Sequence, residues 1–471
     1  MFTSQRSAKV LGLVLSLITV AIYIPDQSRA QKAKKPATRR GVNSRNRIPH
    51  LFTERKKSVR PLARRLSENL SDSRVIDSRP VEVNAALLTS LSPARRVQSS
   101  LPLREKQATT LEALQPKNSI YITLEGKDYE AVIDTIIQDK GANKTWDGYF
   151  KGGVGEFTLV QNSGRISGNF RVYGGGFFEL HRSSTGYLVD QLNVDNSKVC
   201  ALRTDAAATR RLRSRPAFPP ADGPTHEFNL LVVYTPAARL RSNGGREQGS
   251  HEKIHDDIIM MRRETERALA LSRTTARMGE MHIREIQYVE HGSLYVDRPR
   301  LEEKNDGHMD EVHAWRNEVR ADIVVLISVA WQGGLANQMT EDDLKPEAQF
   351  AEKAFAAVDI DAGLTNRAFP HELGHVFGCG HDTENRIDRG PGMFGYSAGY
   401  HHLHNYPDGR VVSFRTTMSY RYRNDNVPEV LISYYSNPDV NHLSLGFPVG
   451  DSNHNNAATI NISAPVVARF R

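Results

Sequence analysis

The chain has 471 residues, 25% of them charged and 39% hydrophobic, with a mean hydropathy of −0.49. This is ordinary globular composition with length for roughly two to three domains, and it excludes a multi-span membrane protein, a collagen-like fibre and a wholly disordered chain. The net charge of +8 is unevenly spread: residues 31–80 carry 15 Lys/Arg against 4 Asp/Glu, residues 1–30 add +2, and residues 81–471 carry −5, so a nucleic-acid-binding core is not supported.

At the N-terminus, Arg6 and Lys9 precede an apolar run from Val10 to Ile24, and Ser28-Arg29-Ala30 places small residues before a cut after Ala30. The run is short for a membrane span, which needs about 17–25 apolar residues, and suits the core of a signal peptide. Residues 1–30 are therefore expected to direct export, to a secreted or periplasmic protein with no stable membrane insertion. Residues 31–80 are rich in Lys, Arg and Ser and poor in aromatics. Such a segment buries too little apolar surface to offset chain entropy, and a disordered basic arm is expected.

Residues 81–202 read differently. Tyr121–Leu124, Phe157–Val160, Gly168–Val172 and Phe177–Leu180 are short β-prone runs separated by glycine-containing turns. They predict a small antiparallel β-domain with no cluster of chemistry-bearing residues. Residues 203–225 hold the basic run Arg210–Arg215 followed by Pro216, Pro219, Pro220 and Pro224. A basic, proline-rich stretch is exposed and easily cut, which makes it a processing linker.

Residues 226–471 read as α/β. Phe228–Tyr234 and Asp322–Val329 are apolar strands, Met281–Val289 alternates as a strand, and helices are predicted over Glu252–Leu271 and Met309–Val319. Strands alternating with helices imply a mostly parallel sheet.

The chemistry concentrates at His371-Glu372-Leu373-Gly374-His375-Val376-Phe377-Gly378-Cys379-Gly380-His381. His371 and His375 lie one helical turn apart on one face and can share one tetrahedral Zn²⁺. Gly378 can adopt the left-handed conformation that ends the helix and returns the chain, bringing His381 in as third ligand. Three protein ligands leave a fourth position for water, the catalytic arrangement. Glu372, offset from the ligand face, is placed to act as general base.

This motif resembles the metzincin zinc endopeptidases. The resemblance implies a methionine turn, which Thr416-Thr417-Met418-Ser419-Tyr420 fits, with Met418 as the apolar floor of the site. Met393 is the competing methionine. Tyr420 holds the position from which some metzincins contact the zinc or the oxyanion. Val232–Pro236, Ala321–Val325, Gly333–Ala336 and Tyr435–Pro438 are similar to bacterial reprolysin-like peptidases, nearest to the peptidyl-Asp metalloendopeptidase group. The resemblance implies an α/β (α+β) metzincin-like domain with a twisted, mostly parallel sheet and a zinc helix. It implies one catalytic zinc ion, protein or peptide substrates, a monomer, and cleavage before aspartate. Gly333–Ala336 would follow the central strands and line the cleft.

Cys200 and Cys379 leave three readings open. Cys200 resembles the cysteine switch of metzincin zymogens, filling the open zinc position until the N-terminal region is removed. The two cysteines form a disulfide, or they are unrelated thiols. His401-His402-x-His404 could hold a second metal or form a histidine-rich surface loop. Two functions of different class follow: a secreted zinc endopeptidase made as a zymogen, or a secreted binding or adhesion protein whose β-domain is permanent.

Overall fold

The computed structural model describes residues 48–54, 74–91, 119–138, 143–195, 198, 200, 223–244, 250–345, 349–382, 392–421 and 427–471. By contacts the chain divides into Met1–Arg47 and Ile48–Arg471, and all described residues fall in the second unit. The signal peptide expected over 1–30, most of the basic arm and the run Arg210–Arg215 lie outside the described residues.

The N-terminal part is a sheet of nine antiparallel strands: β1 (Phe52–Glu54), β2 (Val75–Val83), β3 (Ser119–Leu124), β4 (Lys127–Gln138), β5 (Lys144–Phe150), β6 (Gly155–Asn162), β7 (Arg165–Val172), β8 (Gly176–Ser183) and β9 (Gly186–Leu192). Their order is β1-β2-β9-β8-β7-β6-β5-β4-β3. The two edges meet: the Leu51 N–H donates to the Tyr121 carbonyl at 2.8 Å and the Tyr121 N–H to that of Pro49 at 2.8 Å. The sheet thus closes into a barrel, which removes its open edges. Inward-facing Phe52, Trp146, Phe150, Phe157 and Phe170 fill it. The β3–β4 and β6–β7 hairpins turn through Glu125-Gly126 and Ser163-Gly164, all four residues at positive φ, as tight two-residue hairpins require.

The barrel corrects the expected extent of the basic arm. Phe52–Glu54 and Val75–Arg79 are strands, and the expected boundary at residue 80 falls inside β2. Composition hides β2 because polar residues sit on both of its faces: Asp77 and Arg79, on the same face as buried Val81, pair with each other at 2.6 Å, and Ser78 on the other face donates to Asp190 at 2.5 Å. A short helix, α1 (Ala85–Ser90), follows β2.

The C-terminal part is built on β10 (His226–Tyr234), β11 (Ala276–Glu285), β12 (Ile323–Ser328), β13 (Gly334–Ala336) and β14 (Phe355–Asp359). The order is β11-β10-β12-β14-β13, parallel except for the antiparallel edge strand β13. β11 starts at Ala276, five residues before the predicted start, because its register is set by β10, from His226↔Ala276 to Tyr234↔Glu285. Alternate β10 residues feed two cores: Leu230, Val232 and Tyr234 on one face, Leu231 and Val233 on the other. Helices cover both faces, so the strands are apolar throughout. α2 (Pro236–Ser242), α3 (His251–Leu271), α6 (Ile360–Thr365), α7 (Ala368–Val376) and α8 (Asn456–Val467) lie on the first face, and α4 (Leu294–Glu302) and α5 (Glu311–Glu318) on the second. β15 (His401–Asn405), β16 (Val411–Arg415) and β17 (Glu429–Leu431) form a small separate sheet. Among the described residues no helix is long and apolar enough to cross a membrane.

α3 joins the two parts. Its apolar stripe of Ile254, Ile258, Met261 and Ala268 enters the sheet core. Its charged stripe is covered by the barrel. Arg267 pairs with Asp134 at 2.9 Å, Asp256 with Arg165 at 3.0 Å, and Lys253 with Glu179 at 2.6 Å. At the start of α7, Arg367 pairs with Glu156 of β6. The barrel therefore packs on the α/β part through buried charge pairs.

Candidate functional site

α7 carries His371 and His375, and its end creates the rest of the site. Gly378 has φ +88, the left-handed conformation that favours glycine. The Cys379 N–H donates to the Gly374 carbonyl at 2.9 Å and the Gly378 N–H to the His375 carbonyl at 2.8 Å. These two bonds are the Schellman pattern, which satisfies the last carbonyls and turns the chain back. His381 then reaches the helix: its Nε2 lies 3.1 Å from Nε2 of His371 and 2.9 Å from Nε2 of His375.

Backbone carbonyls orient two of the rings. Nδ1 of His371 donates to Thr417 O at 2.8 Å, and Nδ1 of His375 to Cys379 O at 2.9 Å. A carbonyl only accepts, so each Nδ1 carries the proton and each Nε2 presents a lone pair inward. Burial and the neighbouring imidazoles push His371 down to about 3 and His375 well below its ordinary value, so both are neutral and ready to ligate. Lone pairs this close repel unless a cation lies among them. Three imidazole nitrogens with a thiol alongside are a donor set that suits zinc. The residues present therefore fit the expected metal.

The thiol belongs to Cys200. Its Sγ lies 3.5 Å from Nε2 of His375 and donates to Oε2 of Glu372 at 3.6 Å. Ligand atoms of Cys200, His371, His375 and His381 all lie within 4.8 Å of one another, the one such group among the described residues. The backbone of Cys200 bridges in parallel to Gly334 of β13. Cys379 is elsewhere, buried in the core with its Sγ toward the Asn456 carbonyl at 3.7 Å, and neither cysteine is in a disulfide. The disulfide reading is thereby corrected: the turn after α7 directs the Cys379 side chain into the core, away from Cys200.

Glu372 is fully buried beside the histidines. A Cβ on Gly334 would stand 2.3 Å from its Oε1, so this glycine makes the space for the carboxylate. Oε1 has no hydrogen-bond partner among the described residues. Burial pushes the carboxyl up to about 8, partly offset by the Cys200 thiol.

Met418 is fully buried, and its Sδ would lie 2.4 Å from a Cβ on Gly374, so it packs directly under α7 between the two histidine turns. Met393 instead packs against the turn at Gly378. The Tyr420 ring lies 4.3 Å from that of His381, and its hydroxyl donates to the carbonyl of Cys200 at 3.2 Å. Asp382 accepts the Tyr420 N–H at 2.7 Å, tying the methionine turn to the histidine loop. Asp382 and the Thr417 carbonyl were not foreseen as members of the site, since each acts by tertiary proximity, whereas Gly334 belongs to the segment expected to line the cleft. His402 stacks on Phe447 at 4.2 Å and His404 packs on Tyr406 at 4.7 Å. His402 and His404 thus belong to an aromatic cluster apart from the three-histidine group, whereas Nε2 of His401 lies 3.8 Å from Oδ2 of Asp382.

Residues 225–444 match the reprolysin-like family described as Metallo-peptidase family M12. Peptidyl-Asp metalloendopeptidase of Stenotrophomonas maltophilia (strain R551-3) is 29% identical over 182 residues, 38% of this chain and 40% of that protein. Peptidyl-Asp metalloendopeptidase of Xanthomonas campestris pv. campestris is 29% identical over 184 residues, 38% of this chain and 39% of that protein. The chain thus spans about two fifths of the length of the curated relatives it matches. The solved structure of metalloproteinase-II from Bacteroides fragilis aligns at 10% identity and a TM-score of 0.36, covering 59% of this chain and 84% of that one, too slight a likeness to carry an argument. The C-terminal segment is reprolysin-like, as its motifs implied.

Proposed function

Taking residues 225–444 as a reprolysin-like metallopeptidase segment, we propose that the protein is a secreted zinc-dependent endopeptidase made as a latent precursor. The observation that carries the proposal is the approach of the Cys200 sulfur to His375 and Glu372, at a group of three converging imidazoles. The barrel and the segment through Cys200 act as a propeptide, and the thiol blocks the cleft until the linker of residues 203–225 is cut. Export is supported by the charge and hydropathy pattern of residues 1–30. Preference for aspartate at the cleavage site is carried over from the relatives' name.

His371, His375 and His381 would hold the zinc ion. When bound, zinc supplies Lewis acidity, polarising a peptide carbonyl and acidifying water to near neutrality. The chain's own residues do the rest. The Cys200 thiol occupies one oxygen of Glu372, and the other faces Gly334. With the thiol withdrawn, the carboxylate can accept a proton from the attacking water at Oε2 and return it to the leaving amine. The Tyr420 hydroxyl, which donates to a propeptide carbonyl, would donate to a substrate carbonyl at the same place. The edge strand β13, where Cys200 is bridged, offers backbone pairing to an extended peptide.

The test is casein hydrolysis by the full chain before and after cleavage within residues 203–225, with and without a chelator, and the mass of the product in culture fluid. Activity should appear on cleavage and vanish with the chelator. A product that keeps the barrel covalently attached and cuts nothing would favour a binding protein instead.

A further inference from the structure

Two residues before Cys200 stands Lys198, whose ammonium reaches Asp359. Nζ is 2.8 Å from Oδ2 of Asp359 and 3.8 Å from Oδ2 of Asp361. Asp359 is fully buried at the end of β14, and its carboxylate is held in place by backbone: Oδ1 accepts the Ala362 N–H at 2.9 Å and Oδ2 that of Ala330 at 2.9 Å. Asp361 pairs with Arg241 at 2.8 Å and with Arg74 at 2.7 Å. Arg241 belongs to the α/β part, and Arg74 to the barrel. With the barrel and residue 198 withdrawn, two carboxylates face one guanidinium, and the buried one has lost its cation.

The placement of Lys198 follows from the cleft. Cys200 is bridged to the sheet edge at Gly334 and sends its sulfur to the histidines, and Lys198 sends its ammonium to Asp359 at the end of the neighbouring strand β14. These two side chains occupy the cleft as side chains of a peptide ligand would. Beside Lys198 opens a groove of about 660 Å³ lined by Val289, Gly292, Ala330 and Trp331. Trp331 is 75% exposed and Val289 89%, an apolar wall suited to the aliphatic stem of a long cationic side chain.

We propose that, once residues 198–200 have left, Asp359 with Asp361 forms a subsite for a lysine or arginine side chain of an extended peptide substrate, two residues from the one that lies over the three histidines. The subsite rests on the peptidase reading and names its substrate class, a peptide with a basic residue close to the scissile bond. A buried carboxylate that has lost its cation discriminates strongly in favour of another. Were Lys198 only a latch on the propeptide, the activated protein would show no such preference.

Two measurements test it. The first needs no hydrolysis: the thermal midpoint of full-chain Lys198→Ala is followed against n-butylammonium chloride, with n-butanol and potassium chloride as controls. The variant should melt below the parent and be restored by the ammonium alone. The second measures kcat/KM of the zinc-loaded, activated protein on matched peptides carrying Lys, norleucine or Glu at each of three positions on either side of the scissile bond. At one position Lys should exceed norleucine by about tenfold or more, and Glu should be worst. Asp361→Asn should shrink that ratio; should this variant not fold, the peptide series on the parent decides. Equal rates for Lys and norleucine at every position overturn the subsite and leave the peptidase intact. If no peptide is cut, the peptidase reading fails, and the ammonium titration alone decides the cation site: restoration supports it, and no restoration overturns it.

Discussion

The sulfur of Cys200 lies 3.5 Å from Nε2 of His375, although the two residues are 175 apart in sequence. This contact joins the segment that leaves the barrel to the helix that carries the histidines. On the function proposed above, latency rests on this one side chain. Cys200→Ser in the uncleaved full chain should raise basal casein hydrolysis well above that of the parent, because a hydroxyl is a far poorer zinc ligand than a thiolate. Initial rates on a quenched substrate before any processing check this, and a variant as latent as the parent would remove the thiol from the mechanism.

Glu372 is buried against Gly334 with one oxygen unpartnered among the described residues. Glu372→Gln keeps shape and ligands but cannot accept the proton. We expect kcat of the activated protein to fall on the order of 10²–10⁴-fold, with zinc content unchanged. Elemental analysis beside the rate measurement separates loss of the base from loss of the metal.

Gly378 combines φ +88 with close neighbours: an added Cβ would lie 2.6 Å from the Met393 Cε and 3.1 Å from the Met339 carbonyl. Gly378→Ala should destabilise the protein by about 1–3 kcal/mol and weaken zinc binding, since the turn carries His381. Denaturant unfolding with competition against a chromogenic chelator reads both effects. Gly126→Ala, also at positive φ but with open space around it, should cost stability without touching the metal.

Glu156 and Arg367 pair between the barrel and α7, both fully buried. Burial acts to raise the Glu156 carboxyl, but Arg367 and Arg267 outweigh it and hold the group below its ordinary value. A carboxyl depressed in the folded state stabilises it above the unfolded value, about 4.3, and loses that contribution as pH falls through the folded value. Glu156→Gln should therefore cost about 3–5 kcal/mol at neutral pH, the penalty for breaking a buried pair. The difference from the parent should shrink below about pH 4. Urea unfolding of both proteins across this range tests the sign: a difference that grows on acidification contradicts it.

The sequence by itself determined the histidine site, because that site is local. His371, Glu372, His375, Gly378 and His381 lie within one helix and the turn that ends it, so helical periodicity and the freedom of one glycine already converge the three nitrogens. The central strands β10 and β12 were legible for a similar reason, as continuous apolar runs such as Ile323–Ser328, whereas β14 (Phe355–Asp359) was not read as a strand. Tertiary structure decided what surrounds the site. Cys200 meets Glu372 across 172 residues, and Lys198 meets Asp359 through a cleft whose walls come from separate segments. The charged side of α3 finds its partners on the barrel, in residues 74 to 133 positions away in sequence. Charge and thiol contacts carry no periodic signature along a chain. They are set by which surfaces the folded elements bring together, and here those surfaces place one thiol and one ammonium of the same short segment in the cleft.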